Sequence, residues 1–138
     1  SLIGNNGWMA REGHRARFDQ QPIEAMAMVE ACAEAYRCTR ERIWLDRTRA
    51  FFGWFLGNND TQSVLCDFST GGCRDGLQAD GPNLNQGGES TLAWLIALLS
   101  LHDLNRSMDE DDGSMNKPKK FDLTSHSGKT IDANRENK

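Results

Sequence analysis

The alternation of apolar and polar positions predicts three helices within residues 1–104. The first begins at Pro22, because the missing N–H of proline costs nothing in the first turn of a helix. It runs to about Arg37 and is rich in Ala and Met, which favour helix. Glu30 and Glu34, with Arg37 three residues on, share one face of that helix. This stripe is expected to face water.

The second predicted helix covers residues 41–56 and is one-sided. Gly57 follows it as a C-terminal stop. The core-facing positions recur at helical spacing and are Trp44, Thr48, Phe51, Phe52 and Phe55.

The third predicted helix covers residues 89–104, and its segment 92–99 is apolar all the way round. Such a helix has to be covered on every side, and the two other helices cannot do this while keeping their own patterns. The sequence therefore predicts that further partners cover it, either the rest of a longer parent chain or a second copy. The chain begins at Ser1 rather than Met, so we expect it to be processed or truncated.

Three segments lack a helical pattern, of which the first, residues 1–20, is expected to form a loop. Residues 57–88 are rich in Gly, Asn and Asp and form a long connection, with a short extended piece expected around residues 64–65. Connections of this length are often functional. Residues 105–138 are polar and are expected to form a disordered tail. The predicted fold class is all-α, with a helical domain at residues 1–104.

The charge balance argues against two classes of partner. The net charge of −4 arises from residues 1–104, which hold nine basic and thirteen acidic side chains, whereas the tail holds seven of each. Nucleic acids and anionic membranes are bound by clustered Lys and Arg, so neither is expected. The longest apolar run is far too short to cross a bilayer, which takes about 20 residues, and no signal peptide is visible. We therefore expect a cytoplasmic protein.

The four cysteines show no metal-binding spacing, so no metal and no other cofactor is expected. Cys66 and Cys73 flank one loop and could form a disulfide in an oxidising compartment. Free thiols are the favoured alternative.

A short motif occurs twice, 65 residues apart: Gln21–Glu24 and Gln86–Glu89. Each copy follows a polar loop and opens a strongly apolar helix, with the one-sided helix in between. Alternation of this kind is typical of a ring of helical hairpins, in which the inner helices point the same way. The loops before Gln21 and Gln86 are then expected to meet at one mouth of the ring.

Four segments carry a family resemblance: RFDQQPIEA (17–25), WFLGNND (54–60), GGCRDGL (71–77) and NQGGESTLA (85–93). They resemble an (α/α) toroid module found in the carboxy-terminal part of bacterial group 1 glycosyltransferases and, more distantly, toroids of glycoside hydrolases and sugar epimerases. The resemblance covers residues 4–104, about the last two hairpins of a toroid of six or seven. It implies a carbohydrate-related role with a glycan or sugar as ligand.

The chain lacks features that such a transferase needs for catalysis. It has no nucleotide-sugar domain, no useful phosphate-binding Gly loop, and no glutamate pair spaced by seven residues. The sequence therefore predicts at most a fragment of a glycosyltransferase or glycoside hydrolase, and leaves open whether it is catalytic.

Glu24 and Glu89 are the leading candidates for site residues. Each stands where the acidic member of a capping box stands, which favours a purely structural role. Glu24 lies about 120° from the polar stripe of its helix, which favours a place at the mouth. There the carboxylates would grip sugar hydroxyls or act as acid and base.

The other candidates lie beside these two. Asp19 is a candidate general base, with an Asx turn or a salt bridge to Arg17 as the structural alternative. Catalytic roles are assigned to Asp19 and Glu89. The predicted substrate-binding residues are Trp8, Arg17, Gln20, Gln21, Glu24, Asp75, Asn85 and Gln86.

The sequence supports two functions of different class. The first is a glycan-binding toroid module of a glycosyltransferase-like protein, and the second is a non-catalytic helical interaction module. Carboxylates that line a polar funnel would favour the first, and carboxylates turned into backbone caps would favour the second.

Overall fold

The computed structural model describes residues 2–7 and 11–115, with side chains as far as residue 110. It is mostly helical, with α1 (Pro22–Thr39), α2 (Arg42–Gly53) and α3 (Gly88–Met115). A 3-10 turn (Trp54–Leu56) follows α2, and the long connection forms a small antiparallel sheet of β1 (Leu77–Gln78) and β2 (Gly81–Pro82). The helical class is confirmed, whereas this sheet was not predicted. Trp8 and residues 116–138 lie outside the described residues.

Local sequence signals set both ends of α1. Gln21 is extended, with φ of −116°, and its N–H donates to the Glu24 carboxylate at 3.3 Å. At the other end Arg40 adopts a left-handed conformation, with φ of 58°, and its N–H donates to the Tyr36 carbonyl. The Glu30 side of the helix is exposed, as predicted.

The end of α2 is also set by residues close to it in the sequence. The α-helix ends at Gly53 and tightens into the 3-10 turn, and Gly57 then stops it with φ of 98°. A side chain at Gly57 would be strained in this left-handed region, so the predicted glycine stop is confirmed.

The helices α1 and α3 run in the same direction, and α2 runs opposite to them. Near the start of α1, Ala25 and Val29 share a core cluster with Trp94 of α3. Further along, the Ser100 hydroxyl donates to the Glu30 carboxylate at 3.2 Å. A second cluster joins the far ends of the three helices and contains Ala33, Leu45 and Leu104.

The third helix differs from the prediction in length and in burial. It continues to Met115 instead of ending at Leu104, so residues 105–115 are helical rather than disordered. Its inner face is buried at Trp94, yet Leu92 and Leu99 are 60% and 61% exposed. In the described residues, the cover that an all-apolar helix needs is present on one side only.

The long connection is anchored in the core. Leu65 is fully buried, and its N–H donates to the Phe55 carbonyl at 2.9 Å. The next residue, Cys66, pairs with Cys73 in an isolated antiparallel bridge. The extended piece expected around residues 64–65 thus leads into this bridge, and the loop is held on the ends of α2 and α3.

Candidate functional site

The loops that precede α1 and α3 meet at one end of the helices. Gln20 and Leu77 exchange both backbone hydrogen bonds, at 3.1 Å and 2.8 Å. Just before Leu77, Asp75 accepts the Gly87 N–H at 2.6 Å, directly ahead of α3. The predicted meeting of the two loops therefore occurs. We call this end of the molecule the junction, and it contains most of the predicted site residues.

Gln20 is the buried centre of the junction. Its side-chain oxygen accepts the Trp54 indole N–H at 2.7 Å, and its amide nitrogen donates to the Arg17 carbonyl and to the Asp60 carboxylate. The residue has no exposed surface. The predicted substrate-binding role of Gln20 therefore does not fit its position, since its side chain is held inside by three protein partners.

Gln21 and Glu24 form the cap of α1, as the capping alternative predicts. The Glu24 carboxylate is half-buried and also lines a cavity of about 430 Å³. Arg15 lines the same cavity, whose other walls are apolar. Capping and contact with a ligand are thus compatible for Glu24.

Asp75 caps α3 from the long connection. One carboxylate oxygen accepts the Gly87 N–H, and the other accepts the Asn85 side-chain amide. These bonds, the Asn85 bond first, favour the ionised form and lower the pKa of Asp75. A Cβ added at Gly87 would lie 2.8 Å from the carboxylate, so a larger residue there would displace the capping carboxylate. The contacts of Asp75 and Asn85 are structural.

Gln86 ties the loop around Asp67 to the start of α3. Its amide nitrogen donates to the Asp67 carboxylate at 3.1 Å, and its oxygen accepts the Thr70 hydroxyl at 3.0 Å. Asp67 also accepts the hydroxyl and the N–H of Ser69. The side-chain bonds from Ser69 and Gln86 hold the pKa of Asp67 well below its usual range.

The two copies of the sequence motif are not equivalent in structure. The Gln21 carbonyl accepts the N–H four residues on, which opens α1, but in α3 the corresponding carbonyl is that of Gly87. The cap residue of α3 is therefore Gly87, and Gln86 precedes it by one residue. Glu89 lies at the second helical position, and its exposed carboxylate bonds to no described residue. The prediction that Glu89 closes a capping box is wrong.

Asp19 and Arg17 do not pair with each other. Arg17 instead forms a salt bridge with Asp60, at 3.3 Å, and its cation lies 5.5 Å from the centre of the Phe18 ring. Asp19 is half-buried, and its carboxylate bonds to none of the described residues. Asp19 and Glu89 are thus carboxylates of the predicted set that remain available to a ligand.

Two residues that organise the junction through structural contacts were not predicted from the sequence. Asp60 receives both Arg17 and the Gln20 amide, and Asp67 organises the loop before Cys73. Asp67 and Ser69 form a recognisable turn motif, in which the carboxylate accepts the N–H two residues on. Asp60 ends the WFLGNND segment, but its partners lie 40 and 43 residues away. No local signal identifies such contacts.

The cysteines are free thiols. Burial and the neighbouring Cys66 raise the pKa of Cys73 to about 12, and burial also raises the pKa of Cys66. Neither thiol is a nucleophile at neutral pH, because the thiolate is the reactive form. In the described part of the chain no cluster of His, Cys, Asp and Glu has the size to hold a metal ion.

No protein-family model matches the chain, and no curated protein matches it significantly. Within residues 2–7 and 11–115, no helix is long and apolar enough to cross a membrane.

Proposed function

We propose that this chain is part of a carbohydrate-related (α/α) toroid, an accessory module of a glycosyltransferase-like protein that binds a glycan at the junction. The observation that carries the proposal is the parallel course of α1 and α3, whose starts are joined through Gln20 and Leu77. Parallel inner helices with their leading loops at one end are what a toroid requires. The four segments that resemble the toroid module include both helix starts.

The charged side chains open to a sugar are those that keep exposed surface or have no bonding partner among the described residues. Asp19, Glu89 and the exposed part of Arg17 offer carboxylate acceptors and a guanidinium donor. Hydrogen bonds from ligand hydroxyls to charged groups are stronger than those to neutral groups. Glu24 adds a carboxylate with Arg15 at the adjacent cavity. This set suits hydroxyl recognition, and no acid–base pair is assigned to it.

The alternative function is a helical interaction module without a ligand site. It is favoured by the use of Glu24 and Asp75 as caps of α1 and α3. The apolar outer face of α3 favours it as well, because large exposed apolar patches mark interaction surfaces.

A cytoplasmic location is part of the proposal. It is tested at Cys66 and Cys73, which are partners in a backbone bridge: thiol labelling of the protein isolated from cells should find both thiols free. In an oxidising compartment such a pair would be expected to close.

The glycan proposal is tested with Glu89→Gln. An array of neutral and acidic oligosaccharides identifies a binding sugar, and calorimetry then compares the variant with the wild type. We expect Glu89→Gln to weaken binding about tenfold, equivalent to about 1.4 kcal/mol, with little change in Tm, because Glu89 has no structural partner among the described residues.

Glu41→Gln is the matched control, since Glu41 is an exposed glutamate at the start of α2, at the end of the helices away from the junction, and its side chain makes no cap hydrogen bond. It should leave both affinity and Tm unchanged. The proposal fails if the array shows no binding, or if Glu89→Gln lowers Tm while the affinity stays the same. No binding by the wild type would leave the interaction module as the better account.

A further inference from the structure

The outer face of α3 carries an apolar stripe formed by Leu92, Leu95, Ile96 and Leu99. These residues are spaced i, i+3, i+4, i+7 and are all exposed. Trp94 and Ala97, which pack into the core, lie about 140° to 200° round the helix from Leu92. The helix is thus apolar on two opposite faces, and within the described residues only one of them is covered.

A second apolar surface, which none of the described residues covers, lies on α1 and α2. It is a groove with a cavity of about 400 Å³, and its walls come from the amino-terminal segment, α1, α2 and the turn after α2. Met28 and Cys32 of α1 line it. Each is one step of about 100° from Val29 or Ala33, which pack in the clusters shared with α3. The groove therefore opens away from α3.

A cation, that of Arg47, lines the groove. It lies 5.0 Å from the centre of the Trp44 ring, and no described carboxylate lies within salt-bridge distance of it. The stripe on α3, in contrast, is followed on the same face by an acidic side chain. Asp103 follows Leu99 by four residues on the same face, and its exposed carboxylate has His102 as its one ion-pair partner among the described residues. The two surfaces are complementary in charge as well as apolar.

The stripe and the groove also match in length and in position along the helix axes. The stripe from Leu92 to Asp103 is about 16 Å long, and the groove wall from Trp44 to Trp54 is about 15 Å. Leu45 packs against Leu104 within the chain, so Arg47 and Asp103 lie at similar heights along the helices. A rotation about an axis parallel to the helices therefore brings the Asp103 of one copy to the Arg47 of the next without a shift along the axis.

We propose that a second copy of this chain occupies the groove, with the α3 stripe of one copy seated between α1 and α2 of the next. The contact is head-to-tail, because the stripe and the groove are different surfaces. Head-to-tail contacts that involve rotation without translation close into rings rather than filaments. The proposal concerns assembly and does not depend on glycan binding.

Two one-sided variants test the contact. Leu95→Asp with Leu99→Asp disables the stripe, and Arg47→Glu with Ala50→Glu disables the groove. All four residues are exposed, so both variants should fold. In sedimentation, wild type should show a mass that rises with concentration to a closed oligomer, and each variant should be a monomer.

The mixture of the two variants is the decisive measurement. One variant keeps an intact stripe and the other an intact groove, so a 1:1 mixture should form a dimer and nothing larger. A mixture that stays monomeric, or a wild type that is monomeric at all concentrations, would overturn the proposal. Circular dichroism of each variant checks that it is folded.

A charge exchange gives a second, independent measurement. Arg47→Asp alone should weaken association at least tenfold, and Asp103→Arg in the same chain should restore most of it. Failure of the exchange to restore association would remove the Arg47–Asp103 pair from the contact. Glycan binding can be absent in all these proteins without affecting either outcome.

Discussion

At the scale of single residues, Gln20 shows how a polar side chain becomes core. It is fully buried, yet each polar atom of its amide has a partner, and no described side chain leaves a buried nitrogen or oxygen unpaired. Buried polar groups cost free energy only when they lack hydrogen bonds. Because Trp54 and Asp60 lie far along the chain from Gln20, the sequence indicated a surface residue and the structure shows an interior one.

We expect Gln20→Leu to lower the free energy of unfolding by about 2 kcal/mol, because it leaves the Trp54 indole N–H buried without an acceptor. Urea titration followed by tryptophan fluorescence measures the change. Gln78→Leu is the control, since Gln78 is exposed and its side chain forms no hydrogen bond among the described residues, and it should cost less than about 0.5 kcal/mol. Equal effects of the two substitutions would contradict the role of Gln20.

At the scale of elements, the starts of α1 and α3 use different devices. α1 is capped by Glu24, three residues from its cap residue, and this was predicted because the signal is local. α3 is held by Asp75, twelve residues before Gly87, and the similar motif at Gln86–Glu89 misled the prediction by one residue. Sequence similarity over four residues does not decide which backbone group opens a helix.

The Asp75 cap predicts a loss of stability in acid. Its pKa is lower in the folded protein than in the unfolded chain, so the folded state binds the proton less readily. The stabilisation is present above the unfolded pKa of about 3.9 and declines as pH falls through that value towards the folded pKa. Asp75→Asn should therefore lose stability at pH 7 and show a shallower decline from pH 5 to pH 2.

Urea midpoints measured over that pH range test this. The decline in Asp75→Asn should be reduced rather than absent, because the pKa of Asp67 is lowered as well. Asp80→Asn changes an exposed turn residue and should reproduce the wild-type curve. A curve for Asp75→Asn parallel to the wild type would show that the cap contributes no charge-dependent stability.

At the scale of the whole molecule, Phe55 joins the parts. Its ring contacts Phe52, Trp54 and Trp94, and its carbonyl holds the long connection through Leu65. Helix α2, helix α3 and the connection therefore share one core. This explains why a loop of Gly, Asn and Asp residues is ordered. Four of its apolar residues are buried in this core, namely Leu65, Cys66, Cys73 and Leu77, and polar residues such as Asp75 bond to the start of α3.

Phe55→Ala should cost about 4 kcal/mol, the usual range for removing a fully buried aromatic side chain. Urea titration, followed by circular dichroism and by tryptophan fluorescence, measures the free energy of unfolding. Phe68→Ala provides the comparison, because Phe68 is 77% exposed and should change stability by less than about 0.5 kcal/mol. A cost below about 1 kcal/mol for Phe55→Ala would contradict a single shared core.

The sequence by itself determined the helices and the ends that depend on neighbours. Pro22 and Glu24 begin α1, and Gly57 ends the second helical segment, because caps and left-handed turns act over three or four residues. The periodic pattern also identified α3 as too apolar for its partners, and its exposed Leu92 and Leu99 agree with that prediction.

Only the tertiary structure decided which polar residues are free. Arg17 pairs with Asp60 rather than Asp19, Gln20 turns inward, and Glu89 is left open. These choices depend on contacts between residues up to 43 positions apart. Hydropathy and spacing carry no information about such pairs, because the free energy of a buried hydrogen bond depends on the partner that the fold brings to it.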